Sequence, residues 1–102
     1  MKRILIVDDH AVVRGGLRQF LANTGDLEIA AEAETGADAL ALIPGGDWDL
    51  VLLDMSLPDI NGLEVLKRIK RMCPNLPVLI FSMFSEAEFA IPALDAGASG
   101  YL

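Results

Sequence analysis

The chain has 102 residues, of which 53% are hydrophobic and 23% charged, and its formal net charge is -7. These values are typical of one folded domain and exclude a disordered or collagen-like chain. The apolar runs are far shorter than the ~20 residues that span a bilayer, and 8 basic residues against 15 acidic ones exclude nucleic-acid binding by this chain alone.

Short apolar runs alternate along the chain with segments of helical periodicity. Runs this short, rich in Val, Ile and Leu, are typical of strands buried on both faces of a sheet. In the run from Leu27 to Ala33, Glu28 and Glu32 are expected to face outward. Their alternation with helices favours parallel pairing through right-handed crossovers. In chain order the predicted elements are β1 3–8, α1 11–23, β2 27–33, α2 36–43, β3 50–54, α3 61–73, β4 77–81, α4 86–96 and β5 99–102.

The first predicted helix carries apolar residues at helical spacing. Val13, Leu17, Phe20 and Leu21 share one face, which we expect to be buried. The Gly15–Gly16 pair lacks the pattern of a phosphate-binding loop, and we interpret it as permitting close packing.

Three helix starts carry a capping residue followed three positions later by an acid. This pattern places the first turn of each helix. The pairs are Thr35 with Asp38, Asn61 with Glu64, and Ser85 with Glu88.

Polar side chains stand at the ends of three predicted strands. Asp8 and Asp9 end the first, Asp54 ends the third and Ser82 follows the fourth. In an open parallel sheet these ends meet at a ligand-binding crevice. Clustered carboxylates repel one another unless a cation lies between them, and Mg²⁺ prefers such oxygen ligands. Because a carboxylate such as Asp54 can attack phosphorus, this chemistry leaves a phosphoacceptor and a phosphatase open.

Several segments, in the same order, resemble the receiver domain of two-component response regulators. They are ILIVDDHAVVRGGLRQFL, DLVLLDMSLPDINGLEVLKRI, VLIFSM and ALDAGASGYL, and they are similar to the NarL/FixJ subgroup. The resemblance spans the whole chain and implies a flavodoxin-like (CheY-like) α/β fold with strand order 2-1-3-4-5. It implies a phosphoacceptor that is not an enzyme and that controls an output, here transcription.

The resemblance implies a role for each matching residue of the acidic pocket. Asp54 is expected to be phosphorylated by a histidine kinase. Asp8 and Asp9 belong to the pocket, and Mg²⁺ is held by these acids with Asp54 and the backbone carbonyl of Ser56. Ser82 is expected to be the switch hydroxyl, and Tyr101 the switch aromatic.

One departure from the family pattern concerns the end of the sequence. The family has a pocket lysine about two residues beyond Leu102, and then a fifth helix. We therefore expect residues 1–102 to be a receiver domain truncated before its last helix, with the DNA-binding effector domain outside this sequence. An uncovered sheet face would favour a homodimer or a swapped oligomer.

Two alternatives remain from the sequence. A pseudo-receiver, an interaction module that never takes phosphate, is favoured by the missing lysine and disfavoured by the intact Asp8, Asp9, Asp54 and Ser82. A phosphohydrolase of the haloacid-dehalogenase type is disfavoured because Ser56 stands where such enzymes place a second aspartate.

The remaining features have ordinary interpretations. His10 has no second histidine or cysteine at ligand spacing, so we interpret it as a helix-start residue. Basic residues on the first and third helices, including Arg14 and Arg18, predict a solvated edge. The chain opens without a signal peptide, and its single cysteine, Cys73, fits a reducing compartment, so we expect a cytoplasmic protein with no membrane contact.

Overall fold

The chain folds into a parallel sheet flanked by helices. The computed structural model describes residues 2–54, 57–81, 97 and 100–101. Within them the sheet has five strands in the order β2-β1-β3-β4-β5, and each described pairing is parallel. The elements are β1 Lys2–Val7, α1 Ala11–Ala22, β2 Leu27–Ala33, α2 Gly36–Leu42, β3 Leu50–Asp54, α3 Gly62–Met72, β4 Val78–Phe81 and β5 Gly100–Tyr101.

This arrangement confirms the predicted strand order and the flavodoxin-like fold. The bounds of β2 and β3 agree with the prediction, and β1, β4 and the three described helices differ by a residue at one or both ends. The predicted ends of β5, residues 99 and 102, lie outside the described residues. The predicted helix at 86–96 lies outside the described residues. Among the described residues, every helix is too short or too polar to cross a membrane.

The core lies on both faces of the sheet, because successive strand residues point to opposite sides. Leu5 and Val7 of β1 pack with α2 and α3, whereas Ile4 and Ile6 pack toward α1 and Leu21. Burial on both faces is therefore confirmed for β1. In β2 the predicted outward placement of Glu28 and Glu32 is confirmed, since both are exposed. Full burial of the remaining residues is wrong, because only Ala33 is buried and β2 lies at the edge of the sheet, where its faces are less completely covered.

The α1 helix is less buried than its periodicity predicts. Leu21 is buried and Leu17 packs against it, but Phe20 is 71% exposed. The prediction that Phe20 joins the core is thus wrong. The interpretation of Gly15–Gly16 as permitting close packing is also wrong within the described part of the chain, since a Cβ at either position would meet none of its atoms within 4 Å outside α1 itself.

Two of the predicted helix starts are confirmed by their hydrogen bonds. The Thr35 hydroxyl accepts from the Asp38 N–H at 3.1 Å, and Asn61 accepts from the Leu63 N–H at 2.8 Å. Both bonds satisfy an N–H that has no partner inside its helix. The third predicted start, Ser85 with Glu88, lies outside the described residues.

Candidate functional site

Strand register brings the acidic residues together. Val7 of β1 pairs with Leu53 of β3, so the residues that follow them, Asp8 and Asp54, lie side by side at the carboxyl edge of the sheet. A ligand atom from each of Asp8, Asp9, His10 and Asp54 lies within 4.8 Å of the others. The predicted convergence of the three carboxylates is therefore confirmed by geometry.

Two of these carboxylates are deeply buried. Asp8 is 1% exposed and Asp54 is 2% exposed, whereas the Asp9 side chain is 31% exposed. Among the described residues, none donates a hydrogen bond to the buried Oδ2 of Asp8. Leaving such an atom unpaired costs on the order of 1–3 kcal/mol. Such an oxygen, on a carboxylate that belongs to an acidic cluster, fits a cation ligand.

His10 extends its ring into this cluster. Its backbone N–H donates to Asp8 Oδ1 at 2.8 Å, and its ring Nδ1 lies 3.0 Å from the same oxygen. Nδ1 also lies 2.9 Å from Asp9 Oδ1 and 3.9 Å from Asp54 Oδ2. The hydrogen bond to Asp8, together with the negative charge of Asp9, raises the pKa of His10 above its ordinary value.

The position of His10 matches its interpretation as a helix-start residue, because it is the N-cap of α1. The sequence did not predict its ring contacts. Those contacts depend on the turn between β1 and α1, and no spacing rule describes that turn.

The donor set suits a hard divalent cation. Three carboxylates from two adjacent strand ends present oxygen atoms to one point, which is the ligand type that Mg²⁺ uses. The His10 ring lies among the same oxygens, so a bound cation and the ring would compete for Asp8 and Asp9.

The remaining predicted site residues fall partly outside the described structure. Ser56 and Ser82 lie outside the described residues. Tyr101 belongs to β5, which pairs with β4, but its side chain is not among those described. The roles assigned to these three residues stay predictions.

The interpretation of Arg14 as part of a solvated edge is wrong. Its side chain is only 13% exposed, and its Nη1 donates to the Asp8 carbonyl oxygen at 2.6 Å. The position of Arg14, one helical turn after His10, is the feature of the sequence from which this contact could have been expected.

Asp59 was also missed. Its carboxylate accepts from the Gly36 N–H at 2.8 Å and the Ala37 N–H at 3.0 Å, which links the segment after β3 to the start of α2. These two hydrogen bonds lower the pKa of Asp59 below its ordinary value.

Comparison with known proteins identifies the family. The model of the response regulator receiver domain matches residues 4–102. The chain is 42% identical over 99 residues to the uncharacterized transcriptional regulatory protein YhcZ of Bacillus subtilis, and 35% identical over 99 residues to the nitrate/nitrite response regulator NarL of Escherichia coli. Each alignment covers 97% of this chain and 46% of the relative, so the chain spans about half the length of these curated relatives.

A solved structure agrees with this assignment. The response regulator TrrA from Thermotoga maritima, in complex with Mg²⁺-BeF, is 34% identical, with a TM-score of 0.88. That likeness covers 100% of this chain and 85% of TrrA. The family match over nearly the whole chain, on a fold that brings the acidic residues together, shows that this protein belongs to the receiver domains of two-component response regulators, and its relatives confirm the NarL/FixJ-like subgroup.

Proposed function

We propose that this receiver domain accepts a phosphoryl group on Asp54 from a histidine kinase, with Mg²⁺ bound beside it. The observation that carries the proposal is the meeting of Asp8, Asp9 and Asp54 at one edge of the sheet, two of them buried. Family membership supports it, because signalling rather than turnover of a substrate is the family's role. We accordingly propose that the domain is not an enzyme.

The chemistry is a displacement at phosphorus. An oxygen of the Asp54 carboxylate forms a bond to the phosphoryl group of a phosphohistidine, while the bond from phosphorus to the imidazole nitrogen breaks and the imidazole departs. Burial of Asp54 limits the contact of its carboxylate with water and restricts the directions from which a phosphoryl group can approach. When bound, Mg²⁺ neutralises charge on the transferring group.

Asp8, Asp9 and Asp54 would hold the metal, with the carbonyl of Ser56 as a fourth ligand from the protein. The buried Oδ2 of Asp8, to which no described residue donates a hydrogen bond, and the three converging carboxylates support this set. The complex of TrrA with Mg²⁺-BeF supports the choice of metal.

We further propose that Ser82 and Tyr101 transmit the new charge to the face formed by β4 and β5, by shifting an existing equilibrium between two arrangements. The relatives named as transcriptional regulators support an output through a DNA-binding domain beyond residues 1–102. We also propose that phosphorylation controls dimerisation and that the protein acts in the cytoplasm.

The test is titration with beryllofluoride, an analogue of the phosphoryl group, with and without Mg²⁺, followed by backbone amide shifts. We expect saturable shifts around Asp8, Asp9 and Asp54 that require both reagents. The Asp54→Asn variant should lose them. The matched control is Asp26→Asn, which removes a carboxylate just before β2, at the opposite edge of the sheet.

A response to Mg²⁺ alone, with none to beryllofluoride, would contradict phosphorylation and support a pseudo-receiver. Equal responses of the wild type and Asp54→Asn would contradict the assignment of Asp54. Steady release of phosphate from monoesters would contradict the proposal that the domain is not an enzyme, and would support a phosphohydrolase.

A further inference from the structure

Arg14 joins three parts of the chain behind the acidic cluster. Its Nη1 donates to the main-chain carbonyl of Asp8 at 2.6 Å. Its Nε lies 3.2 Å from Glu32 on β2, and its Nη2 donates to Glu34, just after β2, at 3.1 Å. Three of its nitrogens thus have an oxygen partner, and the side chain is mostly buried, so the guanidinium is held in one position.

The bond to Asp8 acts on the peptide that separates the two acids of the pair. The Asp8 N–H donates to the Ala33 carbonyl at 2.9 Å, which continues the sheet ladder by one residue beyond β1. The Asp8 carbonyl then accepts from Arg14. Because this carbonyl belongs to the peptide plane between Asp8 and Asp9, its orientation sets the directions in which the two carboxylates leave the chain.

We propose that Arg14 is a positioning residue for the cation site: it fixes the Asp8–Asp9 peptide so that both carboxylates meet Asp54. The inference rests on the proposed function, since it assumes that these three acids bind Mg²⁺. Arg14 itself does not contact the cation. It acts through the Asp8 carbonyl, and Glu32 and Glu34 hold it there.

Two effects of Arg14 on cation binding have opposite signs, which makes the inference testable. As a nearby positive charge, Arg14 repels Mg²⁺, so its removal should tighten binding. As a positioning group, it aligns two of the ligands, so its removal should weaken binding. The direction of the change in Kd therefore distinguishes the two effects.

Arg18 supplies a matched control. It lies one turn further along α1, and its Nη2 donates to the same Glu32 at 2.5 Å. Its side chain is 51% exposed, and the hydrogen bond to the Asp8 carbonyl belongs to Arg14. Arg18→Gln thus removes the same charge from the same carboxylate without releasing the Asp8–Asp9 peptide.

The experiment is Mg²⁺ titration of the wild type, Arg14→Gln, Arg14→Lys and Arg18→Gln, followed by amide shifts of the Asp8–Asp9 segment. Denaturant unfolding of each metal-free protein is measured in parallel. We expect Arg14→Gln to raise the Kd for Mg²⁺ by about tenfold, the lower end of the effect of residues that orient metal ligands. Arg14→Lys should also weaken binding, because one ammonium cannot replace the three partners of the guanidinium. Arg18→Gln should bind as the wild type does, or slightly more tightly.

Equal Kd values for Arg14→Gln and Arg18→Gln would overturn the inference. If Arg14→Gln then also has a lower free energy of unfolding, Arg14 has a structural role only. Tighter binding by Arg14→Gln, with wild-type binding by Arg14→Lys, would also overturn it and assign Arg14 an effect of charge alone. If Arg14→Gln does not fold, Arg14→Lys decides by the same comparison with the wild type. Failure of the wild type to bind Mg²⁺ would overturn the proposed metal site together with the inference.

Discussion

The ring Nδ1 of His10 lies 2.9 Å from Oδ1 of Asp9, and the same nitrogen lies 3.0 Å from Oδ1 of Asp8. Because ionised carboxylates only accept hydrogen bonds, Nδ1 is the nitrogen that carries the proton in this arrangement. The ring thus places a donor among the oxygens that the proposed cation would use. A bound cation must replace these hydrogen bonds, and His10 is expected to oppose binding.

Substitution of His10 tests this competition. We expect His10→Ser to lower the Kd for Mg²⁺ by about three- to tenfold, as expected from the loss of one competing hydrogen bond. Serine is chosen because it is a favoured N-cap and preserves the start of α1. Calorimetric titration with Mg²⁺ measures the change. Weaker binding by the variant would show instead that His10 assists the cation.

Asp8 is expected to lower the stability of the metal-free protein while contributing to Mg²⁺ binding. Its buried Oδ2 has no donor among the described residues, and two further carboxylates lie close by. In Asp8→Asn the charge is lost, and the amide N–H₂ can donate to the neighbouring carboxylates. We expect the free energy of unfolding without divalent cations to rise by about 1 kcal/mol, the lower end of the cost of an unpaired buried acceptor.

Urea unfolding with and without Mg²⁺ measures the free energy of unfolding in both states. The wild type should gain stability as Mg²⁺ is added, because only the folded state has the site, and Asp8→Asn should gain little. Asp9→Asn is the control. Its side chain is 31% exposed, so its stability without metal should rise less. A metal-free Asp8→Asn protein less stable than the wild type would contradict the expectation.

The fold and the acidic cluster could be predicted because both follow from strand pattern. Alternation of strands and helices favours parallel pairing, and acids at the carboxyl ends of two buried strands must meet at one edge once those strands are neighbours. The register of Val7 with Leu53 bears this out for Asp8 and Asp54.

Other features depend on geometry that periodicity does not describe. Phe20 shares the helical spacing of Leu17 and Leu21, yet it is exposed. Spacing predicts which residues share a face of a helix, but not how much of that face other elements cover. The contact of Arg14 with Glu34, and those of Asp59 with the start of α2, join segments 20 or more residues apart, and they depend on turns that periodicity does not describe.

Two glycine substitutions should have opposite effects on stability. A Cβ at Gly36 would lie 2.8 Å from Val65 Cγ2 and 3.1 Å from Ile60 Cβ, so Gly36→Ala should destabilise the protein by about 1–3 kcal/mol, as overpacking does. At Gly15, within α1, a Cβ would meet no atom of the other described elements within 4 Å. Gly15→Ala should therefore stabilise the protein by about 0.5–1 kcal/mol through helix propensity.

Denaturant unfolding of both variants checks this pair. A loss of stability in Gly15→Ala would mean that α1 has a contact at that position, and no loss in Gly36→Ala would mean that α2 and α3 can move apart without cost.

Asp59 should contribute stability that depends on pH. The N–H groups of Gly36 and Ala37 lower its pKa in the folded state, whereas the unfolded chain has an ordinary value of about 3.9. A lowered pKa in the folded state stabilises the protein above the unfolded value, and this contribution is lost as pH falls through the folded value. Asp59→Asn should therefore be less stable than the wild type at pH 7, and the difference should shrink as pH falls below about 4.

Urea unfolding at a series of pH values measures the difference between the two proteins. Asp38→Asn is the control. Asp38 lies in the first turn of α2, so this substitution also removes a negative charge near the start of that helix. The pH dependence of Asp59→Asn should exceed that of Asp38→Asn, since the Asp59 carboxylate accepts two N–H groups directly. Equal effects of the two substitutions would assign the stability to electrostatic interactions at the start of α2. A difference between Asp59→Asn and the wild type that does not change with pH would show that the packing of Asp59, rather than its ionisation, joins the segment after β3 to α2.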